Sequence, residues 1–592
     1  MRCPVRPAVV LLGLTPFMLA GCSEADKKEL AEFFGRKRTP TEQEVIESAT
    51  LRVLRERAKS LAVQDTIGAV SFLQGRRLMR VRGYGIVVGL GEEGSREMPE
   101  PIRDKLLQEM RKHHHLGSSR AGLKDFSPEN MLDSLDTAAV LVSGEIPAAS
   151  LKGARFDATV EALPGTQTRS LAGGHLWRCD LYMYRETAAG NVSEGRALAY
   201  AEGPIYIEPF TQQADSPTRV DPRRGRLLGG GTNVVDRPIH LELYQPSYQQ
   251  ASAIARRINA RFPCNPKVAD AVAPGAVNLT IPPSYRADPD RFLELVTHVY
   301  LPDHPAFVER RARELAVELT DPQAPHDDIG LAWEGLGRTI LPVIRELYGD
   351  QRPHVAYHAA RTGLRLNDEL AVEVLRRFAH DTQSKFQPLA IRELGLARGL
   401  HQSASALRPL LSAEDPRVRG WAYEALRGRG DRAIRTLSVG GGDFYLDLVD
   451  ADGPPLLRAT TAEEPRLAIF GRNLSFRPPV FYTAPDETLI LNAEPDDKNL
   501  TLIRRWPQRE GLLSFKTSLD VAEVVARLGA DSVPAEAGDP PGAELSYSQI
   551  IEALYYLCET QRLEAKFVLE KPRLSDLLRP LRPTGRPMTD LD

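Results

Sequence analysis

At 592 residues the chain is long enough for about four domains and a large core, which excludes a miniature disulfide scaffold. Lys plus Arg total 76 against 79 Asp plus Glu, a net charge of −3 with 26 % charged residues, so no global basic field exists to hold nucleic acid by counterion release. With 42 % hydrophobic residues and 45 each of Gly and Pro, the composition is that of a folded, loop-rich chain and not a disordered or collagen-like one.

Residues 1–21 place Arg2 and Arg6 ahead of an apolar run, Ala8 to Ala20, that is too short to span a hydrocarbon core and has the form of a cleaved export signal. The run ends in Leu19-Ala20-Gly21-Cys22, which is similar to a bacterial lipobox: the Cys22 thiol would accept diacylglycerol before cleavage. The alternative is an ordinary signal with an accidental cysteine. Ser23, where an Asp would suggest inner-membrane retention, points to the outer membrane. No later segment reaches 18 uninterrupted apolar residues, so the lipid is the only membrane attachment expected. Cys179, Cys264 and Cys558 then remain as possible disulfide partners, one pair and one leftover, and their spacing does not choose the pair.

Residues 22–65 read as a tether followed by one helix. From Thr66 short β-branched runs punctuated by glycine predict strands at Ile67–Phe72, Gly85–Leu90, Ala138–Ser143, Ala158–Leu163 and Leu176–Tyr184. Helices are expected at Ile102–His113 and Gln249–Phe262, and Gln212–Gly231, rich in Pro, Gly and Arg, reads as a mobile loop. From about residue 301 to 436 the chain turns to helices with a repeated Ala-x-x-x-small/Leu step at Ala332, Ala356, Ala390 and Ala422, offset by 24, 34 and 32 residues. Such repeats, the last opened by Asp415 as cap and Pro416 in the first turn, are similar to HEAT-like helical pairs; an irregular bundle is the alternative. Strands return at Phe444–Leu448, Arg466–Phe470 and Leu489–Leu491, and helices at Leu519–Leu528 and Tyr547–Thr560. The fold class expected is α+β, multidomain, with a mixed region at 66–300, helical repeats at 301–436, a second mixed region at 437–570 and a polar tail at 571–592.

Few residues suggest chemistry. Gly83 to Gly91 has the look of a phosphate-cradling loop, and Gly89 to Ser95 the outline of a P-loop, but the Lys is missing and Glu92-Glu93 would repel a phosphate, so a glycine-edged strand is expected instead. His113-His114-His115 are adjacent on a helix end and cannot converge on one metal. Arg76, Arg77, Arg80 and Arg82 form a basic cluster that would suit either an anionic wall polymer or a solvated strand edge. No catalytic residue, cofactor or metal site is named, and the chain is not expected to be an enzyme.

Phe72-Leu73-Gln74-Gly75 followed by Gly83-Tyr84-Gly85-Ile86-Val87-Val88-Gly89-Leu90 resembles the opening of the flagellar basal-body P-ring protein family. In order follow Ala138 to Pro147, Gly153-x-x-Phe156-Asp157-Ala158-Thr159-Val160, Ser170-Leu171-x-Gly173-Gly174-x-Leu176, Ala199 to Pro204, Gly225-Arg226-Leu227-Leu228-Gly229-Gly230 and Ala255-x-x-Ile258-Asn259-Ala260-Arg261-Phe262. Asp520-Val521-x-x-Val524-Val525-x-x-Leu528-Gly529 and Ile550-Ile551-x-Ala553-Leu554 are similar to the family's closing helices. The resemblance covers about residues 66–300 and 465–570, with the helical repeats inserted between. It implies a structural subunit that polymerises with itself into a periplasmic ring in the peptidoglycan layer around the rod, beside the L ring, with no nucleic-acid partner. A lipobox departs from the family's usual signal, and the repeats add a docking surface. The rival is a non-flagellar, lipid-anchored envelope scaffold binding peptidoglycan or a protein. If the helical segment is autonomous, removing about residues 302 to 436 leaves the rest of the fold intact.

Overall fold

The computed structural model describes residues 60–76, 78–112, 127–186, 192–208, 221–286, 288–506, 511–532 and 541–570. The chain divides into two units, Met1–Ser60 and Leu61–Asp592, and every element below belongs to the second. The export signal, Cys22, the tether and helix up to residue 59, His113–His115 and the 571–592 tail lie outside the described residues. No helix among the described residues is long and apolar enough to cross a membrane.

The fold is α+β, with several sheets and a helical segment. It opens with one helical turn, α1 (Ile67–Val70), where the sequence predicts the start of a strand. Tertiary contacts override the β-branched pattern there: Ile67 is fully buried, Ser71 Oγ donates to the Ile67 carbonyl at 2.8 Å, and the Thr66–Tyr300 bridge fixes the turn from outside. Strand β1 (Ser71–Gln74) follows.

Next come β2 (Met79–Val88), β3 (Thr137–Ile146), β4 (Arg155–Ala162) and β5 (His175–Leu181), then a two-stranded ribbon of β6 (Tyr184–Glu186) and β7 (Val192–Glu194), then β8 (Ala199–Pro204) and β9 (Arg224–Asn233). Six of these close into a barrel in the order β2-β3-β4-β9-β8-β5. Side chains alternate across each strand, and every second residue points inward: Val81 and Val87 on β2, Ala138, Val140 and Val142 on β3, Phe156, Ala158 and Val160 on β4. A six-stranded interior is narrow, so glycine occupies inward positions. A Cβ on Gly83 would sit 2.3 Å from the Asp180 carbonyl oxygen, and one on Gly144 or Gly231 would sit 2.5 Å from the Phe156 ring. Strand β9 corrects the expected mobile loop from Arg224 to Gly231, while residues 212–220 of that expectation lie outside the described residues: the glycines of Gly225 to Gly231 let β9 pass close to the interior side chains. Outside the barrel, α2 (Glu100–Lys112) and α3 (Pro128–Leu132) cover Ile86, Val88 and Ala139 with Leu106, Met110, Met131 and Leu132.

Strand β10 (Ile239–Leu243), helix α4 (Tyr248–Arg261), the hairpin β11 (Ala269–Ala273) and β12 (Ala276–Leu279), and α5 (Pro289–Thr297) complete this region. The antiparallel sheet runs β1-β10-β12-β11, so the whole barrel is inserted between two neighbouring strands. Its inner face packs Leu73, Leu241 and Val277 against Ile254 and Ile258 of α4 and Phe292 of α5. Asn259 of α4 pins the helix to the sheet, donating to the Ala269 carbonyl at 2.8 Å and accepting from Val268 and Ala269 N at 2.9 and 3.0 Å.

Eight helices follow: α6 (Pro305–Glu318), α7 (His326–Leu336), α8 (Leu341–Arg345), α9 (Pro353–Arg365), α10 (Leu370–His380), α11 (Gln387–Leu396), α12 (His401–Leu407) and α13 (Pro416–Arg427). Helices α7, α9, α11 and α13 stack in one row, with α6, α8, α10 and α12 packed behind. The repeated alanines Ala332, Ala356, Ala390 and Ala422 lie one on each front-row helix, all buried, where small side chains let neighbouring helices approach. Asp415 caps α13 as its sequence predicts, accepting from Arg417 N at 2.8 Å with Pro416 in the first turn.

The last region holds a mixed sheet, β13-β14-β16-β15-β21, built from β13 (Ile434–Val439), β14 (Phe444–Val449), β15 (Leu456–Thr460), β16 (Arg466–Phe470) and β21 (Lys566–Glu570). An antiparallel sheet runs β17-β18-β19-β20, from β17 (Val480–Thr483), β18 (Leu489–Ala493), β19 (Asn499–Arg505) and β20 (Leu512–Ser518). Helices α14 (Val521–Gly529) and α15 (Tyr547–Glu559) join its core. The mixed sheet is buried on both sides. Val449, Leu456, Ala468 and Phe470 enter the core of the helical stack, while Leu446, Leu457, Leu467 and Ile469 face α14 and α15.

Candidate functional site

Among the described residues, those singled out in the sequence do not gather into a reactive centre. Gly83 to Val88 is barrel strand, and the following loop turns on Gly89 and Gly91, with φ of +82° and +65°. Its amides face an acid of this chain: Gly91 N donates to Asp136 Oδ1 at 2.7 Å. Burial lifts the Asp136 carboxyl above the ordinary range, partly offset by hydrogen bonds from Gly91, Gly89 and Leu90. Arg80 lies on the exposed side of β2 and pairs with Glu145 at 3.0 Å; Arg82 is exposed too, and Arg77 is outside the described residues. An open groove between α10 and α12 is lined by Val372, Glu373, Arg376, Gln402, Ser405 and Ala406, and its one acid is already paired with Arg376 at 2.7 Å. Among the described residues no group of three His, Cys, Asp or Glu side chains is placed to hold a metal ion.

The cysteines correct the expected pairing. Cys179, Cys264 and Cys558 are free thiols, and they belong to three separate cores: the barrel, the β1-β10-β12-β11 sheet and the α14–α15 layer. Burial pushes the Cys558 thiol up to about 12 and Cys179 higher still, so neither is a ready nucleophile. Gel mobility is therefore expected to be the same with and without reductant, and a thiol reagent should reach Cys179 only after denaturation.

What the fold does assemble is two joints between distant stretches of the chain. At the first, Asp157 of β4 accepts from Arg226 Nη2 at 2.7 Å, from Gly229 N at 2.7 Å and from Glu463 N at 3.0 Å, while Arg226 Nη1 donates to the Thr461 carbonyl at 3.0 Å. The β15–β16 turn is thus clamped onto the barrel by β4 and β9. Beside it, buried Tyr206 packs against Tyr547 of α15, ring centroids 6.2 Å apart, and Tyr547 Oη donates toward the Thr460 and Arg466 carbonyls at 2.9 and 2.6 Å.

At the second joint a buried ladder of charge runs from the first region into the helical stack. Arg291 of α5 pairs with Glu334 of α7, and Arg261 of α4 donates to the Glu334 carbonyl at 2.7 Å. On the stack, Glu393 of α11 receives Arg365 at 2.6 Å and Arg361 at 3.4 Å, and Arg361 reaches on to Asp327 of α7. Burial alone would raise the Glu393 carboxyl, but the Arg365 and Arg361 guanidiniums hold it down to about 2. The residues of both joints were present in the sequence, but no pattern marked them: carboxylates and arginines on apolar helix faces are the one signal that a buried ladder leaves.

Next to the ladder, His358 of α9 is buried with its ring 5.1 Å from His326 and 5.0 Å from Tyr357, near His354, Asp327 and Arg361. Burial and the Arg361 charge push its pKa far below the ordinary value. The sign follows from linkage: below about pH 6.5 the unfolded chain takes up a proton that the folded chain refuses, so stability is complete above that pH and falls beneath it. Lowering the pH from 7 to 5 is expected to cost about 2 kcal/mol through this group. Urea midpoints of the parent and of His358→Gln at both pH values check this; an equal pH dependence in the two would refute it.

Residues 66–308 match the family of the flagellar P-ring protein. The protein of that name from Thermotoga maritima is 31 % identical over 260 residues, which cover 42 % of this chain and 70 % of the relative. Its namesake from Geobacter metallireducens is 28 % identical over 239 residues, 38 % of this chain and 58 % of the relative. That from Caulobacter vibrioides is 30 % identical over 219 residues, 35 % and 53 % respectively.

Proposed function

The chain belongs to the flagellar P-ring protein family, and from that premise we propose that it is a structural subunit of the basal-body P ring, assembling with copies of itself around the rod in the peptidoglycan layer of the periplasm. The observation that carries this is the pair of joints. A load-carrying ring piece needs its regions locked together, and here the family-matched region is fixed to the carboxyl-terminal region through Asp157 and to the helical stack through Glu334. Two open four-stranded sheets, in different cores, supply faces for neighbouring copies, and a head-to-tail contact between copies closes into a ring when the rotation permits.

The finer features belong to the same proposal. Cys22 carries a lipid that holds the subunit beside the outer membrane and the L ring. The helical stack, similar in form to HEAT-like pairs, adds a docking surface for a rod, wall or ring partner. Electron microscopy of native basal bodies and of the purified chain tests the reading: closed annuli containing this chain are expected. In cells, deleting the chain should abolish swimming and leave rods and hooks incomplete. Intact swimming with an altered envelope would replace the proposal by the envelope-scaffold alternative.

A further inference from the structure

The two open antiparallel sheets carry solvent faces of opposite character. On β17-β18-β19-β20 the pairings Phe481↔Asn492, Ile490↔Ile503 and Arg505↔Leu512 set Phe481, Ile490, Ile503 and Leu512 along one diagonal of the outer face. Phe481 is 66 % exposed and Leu512 55 %. The charged side chains of that face are Arg505 and Lys516, both positive; the rest are Thr483, Asn492, Asn499, Thr501, Ser514 and Ser518.

The outer face of β1-β10-β12-β11 has the opposite sign. Phe72 stacks on Tyr244 with centroids 5.5 Å apart, and Val272 on the edge strand is 51 % exposed. The acids there are Glu242, which accepts from Gln74 Nε2 at 2.9 Å, and Asp270; His240 and Asn278 lie between them, and these strands carry no Lys or Arg on that face. The two faces belong to different cores, so one subunit presents both.

We propose that these faces meet between successive copies, the basic apolar diagonal of one against the acidic aromatic face of the next. The inference rests on the ring reading above and names the surfaces that make it. Unlike faces give a heterologous contact, the kind that propagates and closes, and opposite charge favours this register over either face meeting its own kind. Each face spans roughly 19 by 17 Å, from four strands of about five residues. That is smaller than the roughly 800 Å² per partner of a stable pair, so one contact alone is weak and closure, in which every copy uses both faces, makes the assembly persist.

The test uses the full chain in cells, with annuli counted in isolated basal bodies. Arg505→Glu with Lys516→Glu, and separately Glu242→Lys with Asp270→Lys, should each cut the annuli about tenfold. The four changes together should restore them. Because all four side chains are exposed, thermal melting of each purified variant should match the parent. Phe481→Asp, on the apolar diagonal, serves as a second probe and should also remove annuli. Doubles that keep parental numbers of annuli, or a fourfold variant that restores none, overturn the face assignment while the ring reading stands. A parent chain absent from every annulus overturns the ring reading and this inference with it.

Discussion

Replacing residues 305–430 by a short flexible linker is expected to unfold the protein, not to trim a module from it. The mixed sheet would lose its cover over Phe470, Ala468, Leu456 and Val449, and Tyr300 would lose its packing against Phe307. Burial of large apolar side chains of this kind is worth about 1.5–3 kcal/mol each. Arg291 would lose its ion-pair partner Glu334, a loss of the kind that costs about 3–5 kcal/mol in a buried pair, and Asp447 would lose the Tyr423 hydroxyl while keeping Arg466 and Thr436. Together these losses rival the roughly 5–15 kcal/mol that holds a folded domain. Arg419, buried against the Phe470 ring at 4.9 Å and donating to the Leu411 carbonyl at 2.9 Å, shows how closely stack and sheet are knitted. The expectation of an autonomous segment thus gives way to a shared core. Circular dichroism melting checks the point: the shortened chain should show no cooperative transition, and a midpoint near that of the parent would refute it.

The second large effect is expected at Gly83, whose φ is ordinary and whose constraint is purely spatial. In Gly83→Val the new Cβ would fall 2.3 Å from the Asp180 carbonyl oxygen and 3.0 Å from Cys179 Sγ. A carbonyl in a closed ladder cannot swing aside as a flexible side chain can, so β2 must leave β5 or the barrel must open. The cost should be at least about 3 kcal/mol, at the upper end of overpacking. Gly195→Ala is the control, since nothing lies within 4 Å of its Cβ, and it should change stability by under about 0.5 kcal/mol. Urea unfolding of the two variants measures both; near-parental stability of Gly83→Val would refute the barrel packing described above.

Legibility in the sequence followed the range of the interactions involved. Period-two runs such as Ala138 to Ser143, and the capped helix opened by Asp415-Pro416, are local signals, and the structure places strand and helix where they predict. Glycine was ambiguous because it serves two ends. Gly83 and Gly85 read as strand glycines beside Ile86, Val87 and Val88, whereas Gly225 to Gly231, among Arg and Pro, read as loop and form a wall of the barrel. The strand start expected at Ile67 gives way to the α1 turn fixed by the Thr66–Tyr300 bridge, a contact across more than two hundred residues that no window reveals. The same holds for the joints: Asp157 and Glu463 are ordinary surface residues in sequence and neighbours only in space.

The barrel's insertion between β1 and β10 also sets an order of events for a nascent polypeptide. Strand β1 is made early, yet its partner Leu243 to His240 arrives only after the entire barrel, and the region is tied off later still, when Ile67 N can donate to the Val299 carbonyl at 2.9 Å. Such high contact order slows folding and leaves an unsatisfied apolar edge, Phe72 and Leu73, waiting during synthesis and transport. Closure of this region is therefore expected only once the whole stretch from Ile67 to Tyr300 is available to fold, so a chain cut short before Val299 should leave β1 without its tie.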